Sequence, residues 1–142
     1  MKEINGKFYE EKKEHDFSEL LEIVSVLRSP DGCEWDRAQT LISMKECIKN
    51  ETEEVLTAID NRDFENLKEE LGDMLLQVLL SSQIASEEGL FKFEDVVQTL
   101  SEKLIRRHPH VFGDEMRPTT PEESLALWRK VKEIEKANKK SK

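Results

Sequence analysis

Four acidic residues recur at a spacing that suits metal chemistry. Glu51 and Glu54 are three positions apart in the chain, and so are Glu70 and Asp73. Residues three apart on a helix are surface neighbours, so each pair projects from one side of its helix. Four carboxylates that converge between neighbouring helices repel one another, most strongly where water is excluded, and therefore call for a cation. Ligands that are all oxygen select Mg²⁺, Mn²⁺ or Ca²⁺.

A solvated helix face is the alternative interpretation of these carboxylates. The chain has 31 acidic residues among 142, so acidic pairs at this spacing also arise by chance. Both pairs nevertheless border apolar stripes, which predicts a position at the edge of the core. Gly72 precedes Asp73 and costs about 1 kcal/mol relative to Ala inside a helix, which we interpret as a close approach to the backbone there.

A second group combines basic and aromatic residues. Lys103 and Arg107 are four positions apart, as are Trp128 and Lys132, so each pair shares a helix face. Arg can fork onto phosphate oxygens, Lys can act as a point charge, and Trp offers a stacking surface, which together suit a nucleotide. The alternative is structural: Trp128 fills a core and Lys132 points into water.

Apolar residues at helical spacing predict an all-α fold of about five helices with no strand. The predicted helices run from Phe17 to Ser29, Gln39 to Asn61, Phe64 to Glu88, Phe93 to Arg107, and onward from Pro121. Loops are expected through Trp35 and Asp36 and from His110 to Thr120. Residues 1–16 show no periodicity and are predicted to be a flexible arm, 17–136 a single domain, and 137–142 a basic tail.

The third predicted helix indicates self-association. Its inward positions are expected to be Leu67, Leu71, Met74, Leu75, Val78 and Leu79. The stretch from Met74 to Leu80 is apolar on more than one face, which a surface helix does not need. A second copy of the chain is the simplest cover, so a homodimer or a dimer of dimers is predicted.

Composition limits the class of partner. The net charge of −9 argues against nucleic acid, because affinity for its backbone comes from clustered Lys and Arg. A small polyphosphate can still bind through a divalent cation and a local basic group. Two cysteines are too few for a disulfide framework, and neither a signal peptide nor a membrane span is evident, so we expect a cytoplasmic protein with no membrane partner.

Several stretches in order along the chain resemble successive motifs of the MazG family. They are LRSPDGCEWDRAQT at 27–40, ETEEVLTAI at 51–59, EELGDMLLQV at 69–78, KLIRRHPHVFGD at 103–114 and the segment 128–136. The resemblance covers roughly residues 20 to 136, which makes coincidence improbable. It implies a four-helix-bundle-like fold completed by oligomerisation, and Mg²⁺-dependent cleavage of nucleoside triphosphates to monophosphate and pyrophosphate.

The resemblance also assigns roles to residues. The metal motif corresponds to Glu51, Glu54, Glu70 and Asp73, and the phosphate and nucleotide contacts correspond to Lys103, Arg107, Trp128 and Lys132. The four carboxylates would hold Mg²⁺, with Mn²⁺ as a substitute, and one of them would serve as base. Lys103 and Arg107 would meet the charge on the leaving pyrophosphate.

The chain departs from the family pattern at two positions. Asn50 stands where many members have another Glu, and Glu34 stands in a loop position commonly held by Pro. Asn50 favours the alternative hypothesis, a non-catalytic helical oligomer that acts as an interaction or regulatory module. Di-iron and Walker-type chemistry are excluded, because no Glu-x-x-His and no Gly-rich phosphate loop occur in the chain.

Overall fold

The computed structural model describes residues 1–140 and confirms an all-α fold. Its elements are β1 (Glu3–Ile4), β2 (Lys7–Phe8), α1 (Phe17–Arg28), α2 (Glu34–Ala38), α3 (Leu41–Asp60), α4 (Phe64–Glu87), α5 (Phe93–Arg107), α6 (Pro109–Phe112) and α7 (Pro121–Lys140). The short helices α2 and α6 lie in segments predicted to be loops, because so few residues cannot show a helical repeat. Residues 141 and 142 of the predicted basic tail lie outside the described residues.

The N-terminal segment contains a small hairpin that the sequence analysis did not predict. Strands β1 and β2 pair antiparallel, with Glu3 opposite Phe8. Asn5 and Gly6 connect them with φ angles of 53° and 76°. A two-residue hairpin turn with positive φ at both positions favours Asn-Gly. Two-residue strands are too short to alternate visibly, so the Asn-Gly pair was the available signal.

Charged groups connect this segment to α1. The Lys13 Nζ lies 2.6 Å from one carboxylate oxygen of Glu19, and the His15 Nδ1 lies 2.6 Å from the other. Glu19 is buried. The hydrogen bond from Lys13, and then that from His15, lowers the pKa of the Glu19 carboxyl. Glu19 is therefore a buried anion that is satisfied by the residues just before α1.

Side-chain caps define where the helices begin. Asp16 accepts a hydrogen bond from the backbone N–H of Glu19 at the start of α1, at 2.8 Å. Thr40 and Ser43 form a reciprocal capping box at the start of α3. Asp63 accepts a hydrogen bond from the backbone N–H of Asn66 at the start of α4. Each cap satisfies a backbone donor that has no partner inside the helix.

Gly32 allows the chain to turn tightly after α1. A Cβ atom at this position would lie 2.1 Å from the carbonyl oxygen of Leu27. Real Cβ atoms do not approach a backbone oxygen so closely, so only glycine fits this turn. The turn leads directly into α2 and then into α3.

Contacts between Cα atoms divide the chain into two compact units, one over Met1–Phe93 and one that begins at Glu94. In the first unit, α3 and α4 form a helical hairpin, and α1 packs against α4. The buried core of this unit consists of Val24, Met44, Leu79, Leu80 and Ile84. Among residues 1–140, no helix has both the length and the apolar character that crossing a membrane requires.

The inward positions predicted for α4 are partly wrong. Leu71, Leu75 and Val78 are 49%, 38% and 44% exposed in the single chain. The buried apolar side chains of α4 include Leu80 and Ile84 instead. The helix is apolar on two faces, and the other helices of its own unit cover only one of them. Periodicity alone could not tell which face that would be.

Candidate functional site

The helical hairpin brings together three of the four predicted metal ligands. One carboxylate oxygen from each of Glu51, Glu70 and Asp73 lies within 4.8 Å of the others. Glu70 is only 8% exposed, and the other two are half-buried. A solvated helix face does not account for Glu70, because an unpaired carboxylate is rarely buried.

The connection between α3 and α4 sets the register of these residues. Along the chain, Glu54 and Glu70 are equidistant from Arg62, and so are Glu51 and Asp73. Because α4 runs antiparallel to α3, Glu54 lies opposite Glu70 and Glu51 lies opposite Asp73. The register therefore gathers carboxylates that lie far apart in the sequence.

Glu54 lies outside the closest group but acts on Glu70. It is exposed, unlike the other three residues. The pKa of the Glu70 carboxyl is raised to about 7, first by burial, then by a hydrogen bond with Glu54 and by the charge of Glu54. The charge of Asp73 and a hydrogen bond with Glu51 contribute less to this rise. Burial and like charges both disfavour an ionised carboxyl. All four residues thus contribute to one electrostatic environment.

Two carboxylate oxygens of this group have no partner. Within residues 1–140, the Oε2 atoms of Glu51 and Glu70 are buried and accept no hydrogen bond. A buried polar atom without a partner costs free energy, which a bound ligand would recover. The donor set is oxygen only, and it is negatively charged, so it fits a hard divalent cation.

Gly72 has no close neighbour. A Cβ atom added there meets no heavy atom within 4 Å beyond its chain neighbours and the nearby backbone of its own helix. The interpretation of Gly72 as a point of close approach is therefore wrong for contacts within residues 1–140.

The second unit brings together a basic and aromatic group. The guanidinium carbon of Arg107 lies 4.9 Å from the centre of the Trp128 ring, and the Lys132 Nζ lies 5.3 Å from it. At these distances both cations are attracted to the face of the ring. Lys103 is half-buried on α5, one helical turn before Arg107.

Glu135 is a member of this group that the sequence analysis missed. The Arg107 Nη2 lies 3.0 Å from Glu135 Oε2, and Arg106 donates to the other oxygen. Hydrogen bonds from Arg107, and then from Arg106, lower the pKa of Glu135 to about 2. Glu135 lies two helical turns after Trp128 on the same face of α7, and this spacing was the available signal.

The segment that carries the carboxylates matches a known sequence family. Residues 39–112 match the sequence pattern of the MazG nucleotide pyrophosphohydrolase domain family. The chain belongs to the MazG family. The matched segment contains all four carboxylates, Lys103 and Arg107, whereas Trp128 and Lys132 lie beyond it.

Named relatives share much of this MazG chain. It is 53% identical over 125 residues to "Nucleoside triphosphate pyrophosphohydrolase/pyrophosphatase MazG" of Thermotoga maritima, which covers 88% of the chain and 47% of that protein. It is 46% identical over 121 residues to "Nucleoside triphosphate pyrophosphohydrolase" of Escherichia coli strain K12, which covers 84% of the chain and 46% of that protein. The chain thus spans about half the length of these relatives.

A solved structure has the same fold. The crystal structure of a mazG-related protein from Thermotoga maritima matches with a TM-score of 0.68 at 32% identity. The match covers 82% of this MazG chain and 98% of that protein's chain. The all-α architecture is therefore one that a related sequence adopts in a crystal.

Proposed function

We propose that this MazG chain is a hydrolase that converts nucleoside triphosphates and water to nucleoside monophosphates and pyrophosphate, with Mg²⁺ or Mn²⁺ as cofactor. The observation that carries the proposal is the buried carboxyl of Glu70, whose Oε2 lacks a partner beside Glu51 and Asp73. A buried group of like charges destabilises the protein unless a cation neutralises it. The relatives named nucleoside triphosphate pyrophosphohydrolase support the same reaction.

The acidic residues divide into two kinds of environment. Glu51, Glu70 and Asp73 are buried or half-buried, so we assign them, together with Glu54, to holding the cation. A bound divalent cation would supply positive charge to the carboxylates and to the phosphate oxygens. Glu54 is exposed and can exchange protons with solvent, so we assign it the further role of accepting a proton from the attacking water.

We assign the basic and aromatic group to the nucleotide. Arg107 and Lys103 would meet the charge that develops on the leaving pyrophosphate, and Trp128 and Lys132 would contact the nucleotide. Arg107 already holds the carboxylate of Glu135 with two nitrogen donors. A phosphate group suits the same forked geometry, so it would compete with that carboxylate.

We further propose that residues 17–136 act as one functional domain in a cytoplasmic homodimer or dimer of dimers. The exposed stripe of Leu71, Leu75 and Val78 on α4 supports self-association, because a second copy would cover it. The net charge of −9 supports a partnership with small polyphosphates rather than nucleic acids.

Pyrophosphate release tests the proposed reaction. The chain is incubated with a mixture of ribo- and deoxyribonucleoside triphosphates and MgCl₂, with and without a chelator. Release that stops with the chelator supports hydrolysis. Asp73→Asn should abolish it, while Glu69→Gln, an exposed neighbour on α4, should retain it.

Failure of this test has a defined meaning. Absence of release under every condition supports the non-catalytic module that Asn50 favours. Near-normal release by a folded Asp73→Asn variant contradicts the assignment of the carboxylates.

A further inference from the structure

A surface cavity adjoins the carboxylate group on the helical hairpin. It has a volume of about 430 Å³ and is lined by Asn50, Glu53, Glu54, Thr57 and Asn66. This volume falls within the range of about 300–1,000 Å³ that is typical of small-ligand pockets. Glu54 belongs both to the cavity wall and to the four carboxylates. A ligand group in the cavity would therefore lie next to the candidate metal centre.

The cavity follows one side of the hairpin. Its α3 residues lie one and two helical turns apart, from Asn50 through Glu53 and Glu54 to Thr57, and thus share a face. Asn66 comes from the first turn of α4. The cavity therefore extends from the carboxylates toward the connection between the two helices.

The lining chemistry excludes phosphate from this cavity. Two of the lining side chains are carboxylates, and none carries a positive charge. A phosphate group would be repelled there. A ligand that donates hydrogen bonds, such as one with several hydroxyl groups, would instead be attracted.

The polar groups of the wall are available to a ligand. The Thr57 hydroxyl donates its hydrogen to the backbone oxygen of Glu53 at 3.0 Å, so its oxygen remains free to accept. Within residues 1–140, the side chains of Glu53, Asn50 and Asn66 make no hydrogen bond or ion pair. These residues offer both acceptors and amide donors.

We propose that this cavity binds the ribose of the substrate nucleotide, with the Glu53 carboxylate accepting a hydrogen bond from the ribose 2′-hydroxyl. The proposal rests on the proposed function, and it names the part of the substrate that this wall recognises. In a nucleotide, the sugar is the group bonded directly to the phosphate. The sugar should therefore lie in a cavity that shares Glu54 with the metal-holding residues. In dinucleotide-binding domains, an acidic side chain likewise recognises the ribose by accepting a hydrogen bond from its hydroxyl.

The expected consequence is discrimination between ribose and deoxyribose. A substrate that cannot donate this hydrogen bond to the charged acceptor should have a kcat/KM that is lower by about tenfold or more. The wild-type chain should therefore prefer ATP to dATP. Glu53→Ala should lower kcat/KM for ATP by about tenfold and leave that for dATP nearly unchanged, so the preference disappears.

The experiment compares Glu53→Ala with a matched control. Glu65→Ala makes the same change at an exposed position beside Asn66, and Glu65 does not line the cavity. For each protein, kcat/KM is measured for ATP and dATP with MgCl₂. The affinities for α,β-methylene ATP and its 2′-deoxy counterpart are measured by calorimetry under the same conditions.

The outcomes separate this proposal from the proposed reaction. Loss of the ATP preference in Glu53→Ala, with Glu65→Ala unchanged, supports the cavity as the ribose site. An ATP-to-dATP ratio that is the same in the wild type and in Glu53→Ala overturns it. If the wild type releases no pyrophosphate, the proposed reaction fails, and the analogue affinities decide. If Glu53→Ala weakens the binding of the ribose analogue but not of its 2′-deoxy counterpart, the cavity is supported as the ribose site. If the ratio of the two analogue affinities is the same in the wild type and in Glu53→Ala, the proposal is overturned.

Discussion

Replacing Asp73 by Asn should affect stability in opposite directions without and with Mg²⁺. The carboxylates of Asp73 and Glu51 have oxygens within 4.8 Å of each other. Two unit charges at that separation repel by roughly 3–4 kcal/mol at an effective dielectric constant of about 20. Both residues are half-buried, so solvent screening reduces the repulsion to about 1–2 kcal/mol. The metal-free variant should therefore be more stable than the metal-free wild type by about that amount.

Mg²⁺ should reverse this order. A ligand at 100 times its Kd stabilises the folded state by about 2.7 kcal/mol. The wild type should gain this stability, and the variant should gain little because it has lost a ligand oxygen and a negative charge. For a chain of this size, each kcal/mol corresponds to about 2–4 °C in Tm.

Thermal unfolding followed by circular dichroism measures both effects. The wild type, Asp73→Asn and the control Glu69→Gln are unfolded first with a chelator and then with increasing MgCl₂. The control should follow the wild type throughout. A lower Tm of Asp73→Asn in chelator, or an equal Mg²⁺ response of the two proteins, would refute the reasoning that these carboxylates share a cation.

Three further predictions concern other parts of the chain. The folded-state pKa of Glu70, about 7, lies above its ordinary value of 4.5. The metal-free protein should therefore lose stability as pH rises from 4.5 to about 7, because the folded state disfavours the ionised carboxyl. Urea unfolding should show a smaller loss of stability over this pH range in Glu70→Gln than in the wild type. Glu135→Gln should free Arg107 from its ion pair, so calorimetry should show several-fold tighter pyrophosphate binding. The same substitution should lower the free energy of unfolding in urea by about 1–3 kcal/mol. Unchanged affinity would mean that the carboxylate does not compete. Gly32→Ala places a Cβ against the Leu27 oxygen and should cost more than about 3 kcal/mol in urea unfolding, whereas Gly72→Ala should stabilise by about 1 kcal/mol.

Local chemistry allowed much of the fold to be predicted from sequence. Apolar periodicity predicted helix starts at Phe17 and Phe64, and α1 and α4 begin at those residues. Such a pattern joins residues that are near in sequence, so it can be recognised without the structure. The acidic pairs could be named for the same reason, because residues three apart on a helix are always neighbours.

Long-range contacts decided the rest. The spacing of Glu51, Glu54, Glu70 and Asp73 is identical within each helix, yet packing buries Glu70 and leaves Glu54 exposed. The spacing along α7 places Glu135 on the face of Trp128, but its ion pair with Arg107 depends on how the two helices pack, because the two residues lie 28 positions apart.

The sequence by itself determined where the helices form and which residue types each one carries, since hydrogen bonds and periodicity act over a few residues. Only the tertiary structure decided which apolar face of α4 is covered and which carboxylates meet. Those outcomes depend on how α3 and α4 pair after the chain reverses at Asn61–Asp63. Pairing between helices sets distances between groups that no local pattern specifies.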